Sequence, residues 1–276
     1  MVPIEYLLQF IEEDAPFGDA TSDAVIPDIS CTAVIRSEQE GIIAGLEEAS
    51  ALFTYFGIQV RSEVADGALV RRGDTLRSLS GNAKKILLVE RTALNIIGRM
   101  SGIATRTHQM AGVVSTINPR CRVAGTRKTC PGFRALDKKA VVLGGGEPHR
   151  SSLSDGILIK DNHLVLVPFV DAIRAAKNAT RYKKIEVEVE TLNDALVAAK
   201  TGADIIMLDN MSPPLIRETL AALTNEGLRD AVIIELSGGI DDENIKAYAA
   251  LGADVISLGA LTHTVKNFSV NLEILP

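Results

Sequence analysis

The sequence predicts an α/β protein whose larger, C-terminal part is a parallel β-sheet rolled into a closed or nearly closed barrel. Three observations carry that reading. From about residue 120 onward, apolar strand-like runs alternate with helical patterns, the grammar of repeated βα units. The runs lie at 122–126, 156–160, 185–190, 204–208, 231–236 and 254–258, six or seven units in about 150 residues. They end in charged, small or hydrogen-bonding residues: Thr126-Arg127-Lys128, Lys160-Asp161-Asn162, Glu188 with Glu190, Asp209-Asn210, Ser237-Gly238-Gly239 and Gly259-Ala260. Barrel enzymes keep their chemistry at the C-terminal ends of strands. An open doubly wound sheet is the alternative architecture for the same alternation.

The elements follow in order. Residues 4–13 read as a helix, with Ile4, Leu7, Leu8 and Ile11 on one stripe. After the turn at Pro16-Phe17-Gly18-Asp19 come strand-like runs around 31–36 and 58–64, with a helix near 45–56 between them. Residues 66–76 read as a hairpin with a Gly-Asp turn at Gly73-Asp74. A long helical pattern over 84–117 carries Glu90, Arg91 and Asn95 and bridges the two parts of the chain. In the alternating part, helices are expected near 134–142, 165–178, 191–201, 213–226 and 241–251.

Composition narrows the function classes. The chain of 276 residues is 46% hydrophobic and 23% charged, an ordinary globular mix, and long enough to bury a core without staples. Its net charge of −6 and its lack of Trp argue against nucleic acid as a partner. Cys31, Cys121 and Cys130 show neither metal-ligand spacing nor a disulfide framework, which suits a reducing compartment. The N-terminus lacks a basic signal-peptide start, and no apolar run reaches the roughly 18 residues of a membrane span. The expectation is a soluble cytoplasmic protein with no membrane partner.

The local charge opposes the global charge. Between residues 120 and 150, eight Arg and Lys face only Asp137 and Glu147. Arg127 and Lys128 sit at a strand end, Arg150 follows a glycine-rich loop with His149, and Lys160 ends the next strand. Such a cluster suits a ligand with several carboxylates or phosphates. Gly144-Gly145-Gly146 reads equally as an anion-approaching loop or a hinge. In Ile185-Glu186-Val187-Glu188-Val189-Glu190 the apolar face must pack on outer helices, which turns the three glutamates towards the barrel axis. Glu188 and Asp209, on successive strands opposite the basic wall, suit Mg²⁺ with a pyrophosphate, or electrostatic support of a cationic transition state. Ser237-Gly238-Gly239 and Leu258-Gly259-Ala260 are similar to the phosphate grips that barrels build at their last strands.

These residues also carry a family resemblance. Glu90-Arg91-Thr92-Ala93-Leu94-Asn95, Ser101-Gly102-Ile103-Ala104-Thr105, Thr126-Arg127-Lys128-Thr129, Gly144-Gly145-Gly146 with His149-Arg150, and Leu158-Ile159-Lys160-Asp161-Asn162-His163 occur in order. Glu186-Val187-Glu188-Val189, Leu208-Asp209-Asn210, Ser237-Gly238-Gly239 and Gly259-Ala260-Leu261-Thr262-His263 follow. The set resembles quinolinate phosphoribosyltransferase across almost the whole chain. The resemblance implies an N-terminal open-faced α/β sandwich over 1–103, joined by a C-terminal return at 264–276, and an incomplete, seven-stranded α/β barrel over 104–263. It implies that quinolinate and phosphoribosyl pyrophosphate (PRPP) give nicotinate mononucleotide, pyrophosphate and CO₂ for NAD synthesis. It further implies a homodimer, open to higher assembly, in which each sandwich covers the other subunit's barrel.

By position, the resemblance gives Arg91 to quinolinate from the neighbouring subunit, and Arg127, His149, Arg150 and Lys160 to its carboxylates. Lys128 is shared with the phosphoribosyl side, next to Thr126. Glu188 and Asp209 face the ribose and Mg²⁺, and Ser237, Gly238, Gly239, Leu258, Gly259 and Ala260 the 5′-phosphate. Lys128, Glu188 and Asp209 are the expected catalytic residues. Three positions depart from the common family form: Gly125 for Asp, Pro148 for Asn and Leu236 for Ser. Gly125-Thr126-Arg127-Lys128 also occurs in a sister group, the pyrophosphorylase-like proteins of molybdate-transport operons, so a transferase with another acceptor is the alternative. A barrel that senses an anion without chemistry is the second, opposed by the glutamates.

Overall fold

The apolar stripe at the start forms α1 (Ile4–Asp14) in the computed structural model, which describes residues 2–276, with Leu7 and Ile11 buried. α2 (Ala20–Val25) begins at Asp19, whose carboxylate accepts the N–H groups of Thr21 and Ser22. There follow β1 (Ser30–Ser37), β2 (Gly41–Ile42), α3 (Leu46–Tyr55), β3 (Gln59–Ser62), β4 (Leu69–Val70) and β5 (Thr75–Asn82). The bridging pattern is one continuous helix of 35 residues, α4 (Ala83–Ile117). Next come β6 (Arg122–Ala124), α5 (Arg134–Leu143), β7 (Ile157–Ile159), α6 (Asp161–Leu164), α7 (Phe169–Ala179), β8 (Ile185–Val189) and α8 (Leu192–Thr201). The chain ends with β9 (Ile205–Asp209), α9 (Pro213–Asn225), β10 (Ile233–Ser237), α10 (Ile245–Ala249), β11 (Val255–Ser257), α11 (Ala260–His263) and β12 (Val270–Leu275).

The chain divides into two compact units. The first holds the residues up to His108, Cys130–Gly145 and Thr264–Pro276; the second holds Gln109–Thr129 and Gly146–His263. In the first unit the sheet is antiparallel, in the order β12-β1-β5-β3. Its core joins Ile35 of β1, Leu76 and Leu79 of β5, Leu52 and Phe53 of α3, and Ile86, Val89 and Ile97 of α4. The hairpin expected over 66–76 does not form. β4 pairs with β2, and β5 pairs with β1 and β3, so the two strands belong to different sheets although the turn at Arg71–Asp74 is present. α5, expected among the barrel helices, buries Leu136, Ala140 and Val141 in the first unit's core instead, and Arg99 grips its Asp137 through two 2.8 Å hydrogen bonds.

In the second unit six parallel strands lie in the order β6-β11-β10-β9-β8-β7. A seventh place, beside β6, is held by a single bridge between Ala124 and Glu147. That bridge goes no further because the chain turns left-handed at His149 (φ 54). Among the described residues no ladder joins β7 to this segment, so the ring is incomplete. The helix expected over 165–178 begins only at Phe169, as α7 after the N-cap Pro168, and the short α6 lies ahead of that range.

Register decides what faces inward. Glu188, Met207 and Glu235 stand side by side across β8, β9 and β10, and Asp209 is level with Ser237. The alternate residues Val187, Val189, Ile206, Leu208, Ile234, Leu236 and Ile256 face outward and pack with Ile173, Ala195, Ile216 and Ile245 of the helices. Each such buried aliphatic side chain contributes about 1.5–3 kcal/mol. The main apolar core therefore lies outside the strands, and the interior mixes the polar side chains with Met207, Leu158, Ile205, Ile233 and Val255.

Candidate active site

A cavity of about 440 Å³ opens at the C-terminal ends of the strands. Thr126, Arg127, Lys128, His149, Arg150, Lys160, Glu188, Asp209, Ser237, Gly238 and Gly239 all line it. Leu158, Met207, Asn210, Glu235 and Ser257 complete the wall.

Each basic residue is held by its own loop. The Thr126 hydroxyl accepts the Lys128 N–H at 3.1 Å, and the Lys128 carbonyl accepts the Thr262 hydroxyl at 2.8 Å. Lys160 caps α6, and its N–H donates to Nδ1 of His163 at 2.9 Å. The Lys160 ammonium pairs with the Glu188 carboxylate. Burial and the neighbouring Arg127 charge hold the Arg150 guanidinium below its ordinary pKa, and Nε of Arg127 is buried without a partner. Two guanidiniums that repel one another in a cavity are a receptor for an anion.

His149 is turned onto carboxylates of its own chain. Nε2 lies 3.3 Å from Glu235 and 3.6 Å from Glu186. Burial alone would lower the His149 pKa, but the hydrogen bonds and charges of Glu186 and Glu235 outweigh it and carry it up to about 9. Burial pushes the Glu186 carboxyl upward, the His149 hydrogen bond opposes this, and the Glu235 charge adds to the rise. In the neutral ring Nδ1 accepts the Arg150 N–H at 2.8 Å, which places the single ring proton on Nε2, towards the carboxylates. The three ligand atoms lie within 4.8 Å of one another, yet that proton occupies the lone pair a metal would need. One oxygen each of Glu186 and Glu235 is buried with no partner. Both glutamates also line a second cavity, of about 490 Å³, towards the N-terminal ends of the strands.

Other expected residues lie elsewhere. Leu258 is buried in the core, and its N–H continues the ladder to Ala124. Gly259 lies beneath Lys128: a Cβ there would come within 3.2 Å of the lysine Cδ and 3.1 Å of the His263 ring. Neither Leu258, Gly259 nor Ala260 lines the cavity. Arg91 is exposed on α4, in the first unit. Gly144 ends α5 and packs against α4, where a Cβ would meet the Ala104 carbonyl at 2.4 Å; the glycine run does not line the cavity. Glu190 lies beyond β8 and is exposed. Of the three departures, Leu236 faces the outer helices, Pro148 lines the second cavity, and Gly125 is buried with its N–H on the Glu147 carbonyl. Sequence reasoning missed Glu235; the available signal was a lone carboxylate within Ile233-Ile234-Glu235-Leu236.

Two family models match the chain: quinolinate phosphoribosyl transferase, C-terminal domain, over residues 103–273, and its N-terminal domain over residues 19–101. A probable carboxylating nicotinate-nucleotide pyrophosphorylase of Methanothermobacter thermautotrophicus is 43% identical over 274 residues, covering 98% of each chain. The carboxylating nicotinate-nucleotide pyrophosphorylase of Mycobacterium leprae is 38% identical over 274 residues, covering 96% of this chain and 94% of its own. The solved structure of the nicotinate-nucleotide pyrophosphorylase from Francisella tularensis matches with a TM-score of 0.90 at 34% identity, covering 100% of this chain and 98% of that one.

Proposed function

The chain belongs to the quinolinate phosphoribosyltransferase family, and from that premise we propose how its side chains divide the work. The activity is that of a carboxylating nicotinate-nucleotide pyrophosphorylase, EC 2.4.2.19, which takes quinolinate to nicotinate mononucleotide in NAD biosynthesis. The co-substrate is PRPP, and the other products are pyrophosphate and CO₂. The observation that carries the division of roles is the facing pair Arg127 and Arg150, with the buried Nε of Arg127 left for a ligand.

In this reading Arg127, Arg150 and Lys160 hold the two carboxylates of quinolinate, with His149 beneath them. The substrate competes with Glu188 for the Lys160 ammonium and so frees the glutamate to face the ribose. Glu188 and Asp209 then stabilise positive charge developing at C1 of the ribose, an interaction stronger in the transition state than before it. Lys128 stands between the two substrates. The pyridine nitrogen attacks C1 as pyrophosphate departs; the pyridinium then stabilises the electron pair left at C2 when the 2-carboxylate leaves as CO₂, and a proton from water takes the vacated place. No covalent enzyme nucleophile is needed. Thr126 and Ser237-Gly238-Gly239 hold the phosphoribosyl end, and any contribution from Leu258-Gly259-Ala260 is through backbone groups.

Magnesium fits the donors present. Glu188 and Asp209 offer hard oxygens in one cavity, and Asn210 engages only one oxygen of Asp209. Mg²⁺ is commonly held by one or two carboxylates, with substrate and water supplying the rest. Bound there, it would neutralise charge on the diphosphate. Arg91, exposed on α4, serves the partner's site in a homodimer. The cytoplasm is the compartment this reading implies, with Cys31, Cys121 and Cys130 all free. No helix among the described residues is long and apolar enough to cross a membrane.

The test mixes the protein with quinolinate, PRPP and Mg²⁺ and measures nicotinate mononucleotide and CO₂, with nicotinate as a parallel acceptor. Equal yields of both products from quinolinate, and none from nicotinate, are expected. Turnover of nicotinate in preference to quinolinate would sink the assignment of the acceptor pocket.

A further inference from the structure

We propose that Asn210 is the positioning residue of the phosphoribosyl side, fixing the Asp209 carboxylate with its side chain from a seat that Gly238 leaves open. The inference rests on the reading above, in which Asp209 and Ser237-Gly238-Gly239 face PRPP.

Asp209 and Ser237 end neighbouring strands in register. One residue later the chain leaves β9 through Asn210 in the left-handed region (φ 53). Most side chains lose about 1–2 kcal/mol there, and Asn is among the few that visit it routinely. The turn carries the Asn210 N–H to the Ser237 carbonyl at 2.9 Å, which ties the two strand ends by one more rung. The same turn folds the side-chain amide back, and Nδ2 donates to Oδ2 of Asp209 at 2.6 Å.

A carboxylate only accepts, so the amide must present its NH₂ to Asp209 and its oxygen to the other side. On that side lies Gly238, itself left-handed (φ 93). A Cβ on Gly238 would fall 2.3 Å from Oδ1 and 2.6 Å from the backbone nitrogen of Asn210. The glycine is therefore required by its neighbour as well as by its own backbone. Asn244 pins the following residue, donating to the Gly239 carbonyl at 2.8 Å. A carboxylate beside a developing ribosyl cation is useful only if held in one place. Asn210 supplies that constraint, and it spends one Asp209 oxygen to leave the other for the ligand.

Two variants separate backbone from side chain. Asn210→Gly keeps the left-handed turn and loses the amide; Asn210→Asp keeps the shape and sets a carboxylate against Asp209. The readouts are steady-state kinetics in both substrates and calorimetric titration of PRPP with Mg²⁺. The expected result is a fall of about tenfold in kcat/KM for PRPP in Asn210→Gly and a larger fall in Asn210→Asp, with KM for quinolinate within about twofold. In an Asp209→Ala background, Asn210→Gly should cost nothing further, because its effect runs through Asp209. Fully additive losses, or equal losses towards both substrates, would overturn the proposal while leaving the role of Asp209 intact. Unchanged PRPP affinity in Asp209→Ala alone would overturn the underlying reading and the proposal together.

Discussion

Two buried charge clusters, one in each unit, are made of similar parts and finished differently. In the first unit the Lys139 ammonium lies 2.7 Å from Glu48, 2.8 Å from Glu47 and 3.6 Å from Asp66. Asp66 also accepts the N–H groups of Leu46 and Glu47 at the start of α3, at 2.9 and 3.3 Å. The Lys139 hydrogen bond holds the Glu47 carboxyl below its usual range. In the second unit Glu186 and Glu235 share one imidazole, and each keeps a buried oxygen without a partner. The first cluster is closed by its own chain and fastens α5 to α3. The second stands in the wall of a cavity, with one oxygen of each glutamate unpaired by the chain.

That contrast can be broken from either end. Lys139→Met removes the cation paired with Glu48, which is fully buried, and should cost about 3–5 kcal/mol in urea unfolding with the turnover of folded molecules unchanged. Arg127→Ala should do the reverse: kcat/KM for quinolinate falls about 100-fold while the melting midpoint barely moves. Normal turnover in that variant would remove Arg127 from the site.

The pH dependence sharpens the comparison further. The folded pKa of His149, about 9, exceeds its ordinary value of 6.5, so its stabilisation is complete below pH 6.5 and is lost as pH rises through 9. The loss should be about 3 kcal/mol in urea titrations at pH 6 and pH 10, and Glu235→Gln should flatten it. The same slope in Glu235→Gln as in the parent would mean the cluster is not its source. The smallest effect is expected between the clusters in sequence. Gly145→Ala, left-handed (φ 86) with open space around it, should cost about 1 kcal/mol and leave kinetics alone. A rise in KM would show that the glycine run reaches a ligand after all.

Much of this was legible before any coordinates, and the reasons differ by feature. Alternation along Ile185–Glu190 named the inward face of β8, because a strand has a period of two and its partners need not be known. The hairpin at 66–76 failed because pairing is non-local: nothing in the turn says that β4 prefers β2. α5 carries an ordinary amphipathic pattern, and only the fold decides which core it faces. Lys128, Glu188 and Asp209 stood out as charges at strand ends. Glu235 did not, since a single acid inside an apolar run reads as noise until its neighbour His149 is seen. Leu258 was given to the phosphate as part of a backbone grip, and the register sends its side chain outward to the core.

The barrel's packing is turned inside out, and this bears on how such a protein changes over time. The groups that fold the sheet point at the helices, while those that meet the substrates point at one another across the axis. A replacement among the inner-face residues at the C-terminal strand ends chiefly disturbs the site's charge, and one on the outer face chiefly disturbs packing. Leu236 lies on the outer face. Substrate preference and foldability can therefore drift along separate sets of positions, which gives a lineage room to acquire a new acceptor without first surviving a loss of stability.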